Sequence, residues 1–288
     1  DLKNALTRFT AAGGDRGSKV YLGVAAVHGL LARTYLYMEN WDEAVASAQA
    51  ALTTSKITEL AKTKADYKAL YAGELTNKES IFALAINGTK NFGSASLGTV
   101  WTTYSYSPSP KLRKMYKSTD VRTAIMIRDT TKGSETMPYY RGGKFDNASK
   151  SPANSSNYMI NAPEMYLIIA EAELNKDNLD ASRKALLVVA GRDAAIKAES
   201  DLPQTKEALY SFLKDERARE LFQEGFRLWD LRRWDTSAEV YAFGAPEVKF
   251  TYTGYKISNF VYPIPVGEVN AGFGVTQTPG WSDALPKK

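Results

Sequence analysis

Cysteine is absent from the 288 residues, which removes disulfide frameworks, thiolate metal sites and cysteine nucleophiles. Histidine occurs once, at His28. A zinc site built on several imidazoles is excluded, and a serine triad would have to use that one ring. No run approaches the roughly 20 apolar residues of a membrane-spanning helix. Basic tracts are missing too: Lys and Arg exceed Asp and Glu by 37 to 32 and are spread along the chain, which argues against a dedicated nucleic-acid binder. No D-x-D-x-D-G calcium loop occurs, so the sequence nominates no metal site, and it calls for no other cofactor. The chain opens with "DLKNALTRFT", inside an amphipathic segment, so its natural N-terminus is expected to lie upstream.

What is present is an ordinary folding composition, 44% hydrophobic and 24% charged, enough for one large or two ordinary domains. Aromatics stand out: seventeen Tyr, eleven Phe and five Trp, many of the tyrosines in polar, loop-like stretches. Helical hairpins are legible in two places. Over 20–53, Leu31, Ala32 and Tyr35 precede a turn at Glu39 and Asn40, followed by Ala44, Ala48 and Ala51. That is the spacing of a tetratricopeptide repeat, in which small residues let two antiparallel helices approach. Glu39 stands where the turn usually carries glycine, so Asn40 is expected to take the left-handed conformation. His28 falls where the repeat buries a tryptophan and reads as a packed side chain. Over 162–192, Tyr166, Ile169 and Ala170 precede Ala181, Ala185 and Val188. This second turn reads one residue shorter than the first, and Pro163 suits a first helical turn.

A third helix is expected from about Gln204. "ESIFALAIN" alternates as a short strand. Between the hairpins, 87–158 reads as loop-rich, with two irregular runs of Gly, Ser, Thr and aromatics; loops this long are usually functional or disordered. Near the C-terminus "KFTYTGYKI" reads as a hairpin turning near Thr253 and Gly254, and "NFVYPIPVGEV" as a strand stopped by Pro263 and Pro265. The fold class is mainly α: tetratricopeptide-like hairpins, long irregular loops and a few short strands.

The densest pattern is "ERARELFQEGFRLWDLRRW", residues 216–234. At helical spacing Glu216 reaches Arg219, Glu224 reaches Arg227 and Asp230 reaches Arg233. Most of its arginines have an acidic neighbour, unlike the open basic face of a nucleic-acid binder. The run resembles the C-terminal hallmark of the SusD/RagB family, E-R-x-R-E-L-x-x-E-G-x-R-x-x-D-L-R-R-W, through Glu216, Arg217, Arg219, Glu220, Leu221, Glu224, Gly225, Arg227, Asp230, Leu231, Arg232, Arg233 and Trp234. "YPIPVGEVNAGFGVTQTPGW" is similar to the family's near-terminal motif at Tyr262, Pro263, Ile264, Pro265, Glu268, Gln277, Pro279 and Gly280. "PKLRKMYKSTDVR" is similar to its Asp-x-Arg loop, here Asp120 and Arg122. Phe226 and Leu228 depart from the family's usual histidine and aromatic.

The resemblance covers essentially the whole chain and implies a single N-terminally truncated SusD-like domain over 1–288, its C-terminal segment at 204–288 and an α-solenoid-derived fold. It implies a non-catalytic lipoprotein on the outer membrane of Bacteroidetes, anchored through a lipid on an upstream N-terminus. The ligand would be an oligosaccharide or polysaccharide, or in some members a peptide, held as a lid over a SusC-like TonB-dependent transporter. In that reading the 216–234 hallmark is scaffold, packing C-terminal segments onto the hairpins. Specificity is expected in the loops: Asn91, Phe92, Trp101, Tyr104 and Tyr106 in the first, and Tyr139, Tyr140, Arg141, Asp146 and Asn147 in the second. Two other classes compete. A glycoside hydrolase would need paired carboxylates, with Glu135 and Asp146 the nearest guess. A tetratricopeptide scaffold would bind peptide in a helical groove, although two hairpins are few for a solenoid.

Overall fold

The computed structural model describes residues 1–14, 17–103, 108–133, 138–145, 154–234, 239–242, 245–251, 264–271 and 274–278. In chain order the elements are α1 (Leu2–Ala11), α2 (Val24–Tyr37), α3 (Trp41–Ser55), α4 (Lys64–Ala69), β1 (Ser80–Leu84), α5 (Leu97–Thr103), α6 (Pro110–Met115), β2 (Met126–Gly133), β3 (Pro138–Gly142), β4 (Asn157–Asn161), α7 (Ala162–Asn175), α8 (Leu179–Ala190), α9 (Lys206–Glu220), α10 (Arg227–Arg233), β5 (Glu239–Ala242), β6 (Ala245–Thr251) and α11 (Val266–Asn270). They fall into two units, Asp1–Gly225 and Phe226–Lys288.

In the first unit, α2 and α3 form one antiparallel hairpin and α7 and α8 a second. The approach is close because Ala32, Ala44, Ala48 and Ala51 are all fully enclosed. Helix α3 packs on α7, which sets the hairpins side by side, and α9 packs on both α7 and α8. Helix α7 is therefore surrounded: from Ala162 to Leu174 every residue but Tyr166 is buried. Apolar residues therefore recur around the helix, and the three glutamates it carries, Glu164, Glu171 and Glu173, are buried with them.

The two hairpins share one turn geometry. Asn40 N–H donates to Tyr35 O and Asn178 N–H to Glu173 O, each at 2.9 Å. Glu39 (φ 57°) and Asp177 (φ 63°) take the left-handed position, closing each first helix in the Schellman manner. Two expectations are thereby corrected. The left-handed residue is Glu39, since Asn40 has φ −87° and instead caps α3. The second turn is also as long as the first, because α8 starts at Leu179 as α3 starts at Trp41. With that register, Ala181 is exposed and Ser182 takes the enclosed small-residue position. Its hydroxyl donates to Ala170 O across the helix pair at 2.7 Å, so the polar atom is satisfied inside. His28 sits half-buried on α2 with Nδ1 inside.

Strand β1 pairs antiparallel with β4, Ser80 opposite Asn161 and Ala83 opposite Tyr158. The pair leads straight into α7, with Ala162 N–H donating to Glu79 O. Within the region 87–158 the described residues include regular elements that its composition does not announce. Helices α5 and α6 lie in it, the latter started by Pro110 and by Ser109, whose hydroxyl accepts from Leu112 N–H. Strands β2 and β3 also lie in it, Arg128 opposite Tyr140. Short helices and a local hairpin carry too little periodicity to stand out among Gly, Ser and Thr.

In the second unit, α10 is followed by an antiparallel pair, β5 with β6, Val240 opposite Phe250. That hairpin comes one strand earlier than the expected one; Thr253, Gly254 and Pro263 lie outside the described residues. Gln277 grips Ile264 on both sides, accepting from its N–H at 2.8 Å and donating to its carbonyl at 2.9 Å. This side chain stands in for a neighbouring strand, which accounts for both residues of the Y-P-I-P…Q motif.

Gly29, within α2, faces β4: a Cβ there would stand 2.6 Å from Ile160 Cγ2. Alanine is the better helix former, so a free helix would gain from the change. Here the contact prevails, and Gly29→Ala is expected to lower the unfolding free energy in urea by roughly 1–3 kcal/mol.

A buried charge network and the loops it carries

Two motifs distant in sequence meet at one buried guanidinium. Arg122 follows α6 in a short 3₁₀ turn, Val121–Ile125, begun by Asp120, whose carboxylate accepts from Arg122 N–H. The Arg122 side chain donates to Asp120 at 2.8 Å, to Glu216 at 2.6 Å and to Glu220 at 3.1 Å. All four side chains are buried. Glu220 is shared: the same oxygen lies 3.0 Å from Arg192 Nε. Arg192 in turn donates to Glu79, and Glu79 also accepts from Ala61 N–H. On the central helix, Glu164 is held by a two-pronged pair with Arg33, at 2.7 and 2.8 Å, and Glu171 faces Arg217.

The network pairs each buried charge with an opposite one, as burial away from water requires. Burial pushes the Glu216 carboxyl up, but Arg122 and Arg219 outweigh it and hold it down to about 2. Glu224 goes the other way. Burial, with repulsion from Glu220, raises it against the pull of Lys144 and Asn161.

Helix α9 ends at Glu220, and residues 221–225 form a turn in which Gln223 (φ 65°) and Gly225 (φ 82°) are left-handed. The helical spacing expected between Glu224 and Arg227 therefore does not apply. Glu224 instead accepts from Lys144 Nζ at 2.6 Å and from Asn161 Nδ2 at 3.1 Å. Within the second unit Asp230 does pair with Arg233, at 3.0 Å, and Arg233 stacks on Trp234.

Both aromatic loops are rooted on this turn. Trp101, on α5, is half-buried and meets Phe222 edge-on, ring centroids 5.9 Å apart. Lys144, just after β3, donates its backbone N–H to Gln223 Oε1 and its Nζ to Glu220 O. Of the other expected ligand residues, Phe92 is exposed, at 62%. Asn91 folds back on its own turn, donating to Asn87 O and Gly88 O and accepting from Gly93 N–H. Tyr140 is half-buried with the Arg113 guanidinium over its ring at 4.7 Å. Tyr139 and Arg141 are placed by backbone on β3, opposite Asp129 and Ile127. Tyr104, Tyr106, Asp146, Asn147 and Glu135 lie outside the described residues. Four participants escaped the sequence reading: Arg113, Lys144, Phe222 and Gln223. Lys144 stands beside the nominated residues in "YYRGGKFDN", and Phe222 and Gln223 fall at positions that the hallmark pattern leaves open, so only contact reveals them.

Helical hairpins crossed by a hallmark helix, with irregular loops rooted at its end, define a class of protein that comparison makes specific. A sequence model of the SusD family matches residues 94–281. The chain belongs to the SusD family. Among solved structures it is similar to a SusD superfamily protein of Bacteroides thetaiotaomicron VPI-5482, with 20% identity and TM-score 0.76, covering 96% of this chain and 64% of that one. A SusD superfamily protein of Bacteroides vulgatus ATCC 8482 has 21% identity and TM-score 0.77, with 98% and 64% covered. A SusD-like carbohydrate binding protein of the same organism has 23% identity and TM-score 0.68, with 87% and 54% covered. The likeness to these structures is one of fold, and the chain spans under two thirds of their length. No curated protein matches the chain.

Two predictions follow the network. Arg122→Met leaves Asp120, Glu216 and Glu220 without their shared partner and is expected to cost roughly 3–5 kcal/mol in urea denaturation. The second concerns pH. The Glu216 carboxyl is depressed in the fold from an ordinary 4.5 to about 2, so its contribution is complete above pH 4.5 and disappears as pH falls through 2. The shift corresponds to about 3 kcal/mol. Urea titrations at several pH values are expected to show Glu216→Gln well below wild type at pH 6, the gap narrowing towards pH 2. Glu224, raised, contributes with the opposite sign in both proteins and leaves that difference intact.

Proposed function

We propose that the protein captures oligosaccharides or polysaccharides at the cell surface, without catalysis, and delivers them to a SusC-like TonB-dependent transporter. Membership of the SusD family supports this reading, as does the fold shared with a SusD-like carbohydrate binding protein. The observation that carries it is the rooting of two aromatic-bearing loops on one turn. Trp101 leans on Phe222 while Lys144, beside β3, hangs on Gln223.

A sugar ring presents a face of C–H bonds with slight positive charge, which stacks on the negative face of an aromatic ring; its hydroxyls need polar partners at the rim. Phe92, Trp101 and Tyr140 offer rings, and Arg113 lies beside the last. Tyr104, Tyr106, Tyr139, Arg141, Asp146 and Asn147 belong to the same proposal by their place in the chain. No helix of the described residues is long and apolar enough to cross a membrane; the outer-membrane location belongs to this proposal and rests on a lipid anchor upstream of Asp1.

Affinity electrophoresis against a polysaccharide panel tests it, wild type beside Trp101→Ala. Retardation by at least one glycan is expected, weakened about tenfold in the variant, a change of 1.4 kcal/mol, with the thermal transition within a few degrees of wild type. Absence of retardation by every glycan would overturn the reading. Equal retardation of both proteins would move the site away from Trp101.

A further inference from the structure

Gln223 carries two local costs at once. It is one of four described residues other than glycine with positive φ, a conformation that disfavours a side chain with a Cβ. Its amide Nε2 is also closed off from solvent with no hydrogen-bond partner among the described residues, and such groups call for an explanation. Backbone geometry alone does not supply one. Two residues later the same turn uses Gly225 at φ 82°, where a Cβ would meet nothing within 4 Å; glycine is there for conformation. At 223 a long side chain is kept instead, so the side chain itself has a task.

That task is visible in its other end. Gln223 Oε1 accepts from the buried backbone N–H of Lys144 at 3.1 Å. The same segment is also pressed against backbone one residue earlier: a Cβ on Gly143 would stand 2.3 Å from Ile125 O. Residues 143–145 are thus clamped by Ile125 and Gln223, and Ser155 Oγ closes on Phe145 O at 2.6 Å. This clamped root directly follows β3, which bears Tyr139, Tyr140 and Arg141. Phe222, the preceding residue, supports Trp101 of the other loop. One peptide unit therefore separates the anchors of the two loops.

We propose that Gln223 is a positioning residue that fixes the two aromatic loops relative to each other, so that they present one binding surface. The inference rests on the carbohydrate-capture reading for its functional consequence, but the coupling has its own readout. Gln223→Gly and Gln223→Asn both suit the left-handed backbone better; the first lacks the acceptor and the second is one methylene short of Lys144. The thermal midpoint of both is expected to stay within a few degrees of wild type, the relief of the backbone and of the unpaired amide offsetting the orphaned Lys144 N–H. Amide hydrogen exchange is expected to quicken about tenfold in peptides covering 97–103 and 138–145, while α7 keeps its protection. Retardation by a glycan that binds wild type is expected to weaken about tenfold.

A lowered midpoint with faster exchange throughout the first unit would make Gln223 an ordinary scaffold residue and overturn the proposal. Unchanged exchange in both loops would overturn it equally. Quickened exchange in both loops with undiminished glycan retardation would confine Gln223 to coupling and refute its part in binding. If wild type binds no glycan, the capture reading fails, while the exchange comparison still decides whether the loops are coupled through this residue.

Discussion

The first unit depends on how a guanidinium is accommodated away from water. Arg122 is fully enclosed, and an uncompensated charge in that place is prohibitive. Its partners come from its own loop (Asp120) and from two successive turns of α9 (Glu216 and Glu220). Glu220 passes the requirement on to Arg192, and Arg192 to Glu79 at the entry to β1. Four segments far apart in the chain are thereby made to converge, and a misplacement of any one leaves a charge unpaired. Apolar packing of similar volume can match such a network in stability; what charge adds here is a fixed set of partners for α9.

Around that point the hairpins supply the bulk of the core. Alanines at the α2–α3 contact and Ser182 at the α7–α8 contact bring the helices close, and α7 fills the middle. Two of the acids that α7 carries are answered by a neighbouring element, Glu164 by Arg33 of α2 and Glu171 by Arg217 of α9, and the third, Glu173, accepts from Asn178 in the turn that follows. The second hairpin differs from the first in side chains but not in the hydrogen bonds of its turn, where Glu39 and Asp177 take the left-handed role usual for glycine.

Function, in the proposed reading, is carried at the end of that rigid frame. The turn after α9 leaves the helix with Glu220 inside the network, and within three residues it meets Trp101 through Phe222 and Lys144 through Gln223. Loops mounted this way can vary in sequence at their tips while their roots stay set by the frame.

Much of the frame was legible before any coordinates. Small-residue spacing determined the hairpins, the helix expected from about Gln204 is α9, and the acid–arginine pattern of 216–234 announced charge pairing, because these are local rules of helix geometry. Where such a rule was asked to decide between neighbours one residue apart, it failed: Asn40 for Glu39, Ala181 for Ser182. Pairings across the chain were beyond it altogether. That Glu224 would turn to Lys144 and Asn161 depended on where α9 stopped, and a helix stop at a left-handed turn is a tertiary compromise. The same holds for the loops. Composition nominated Trp101 and Tyr140, but only folding placed Phe222 under the one and Arg113 over the other, because contacts between distant segments are chosen by the packed frame and not by either segment alone.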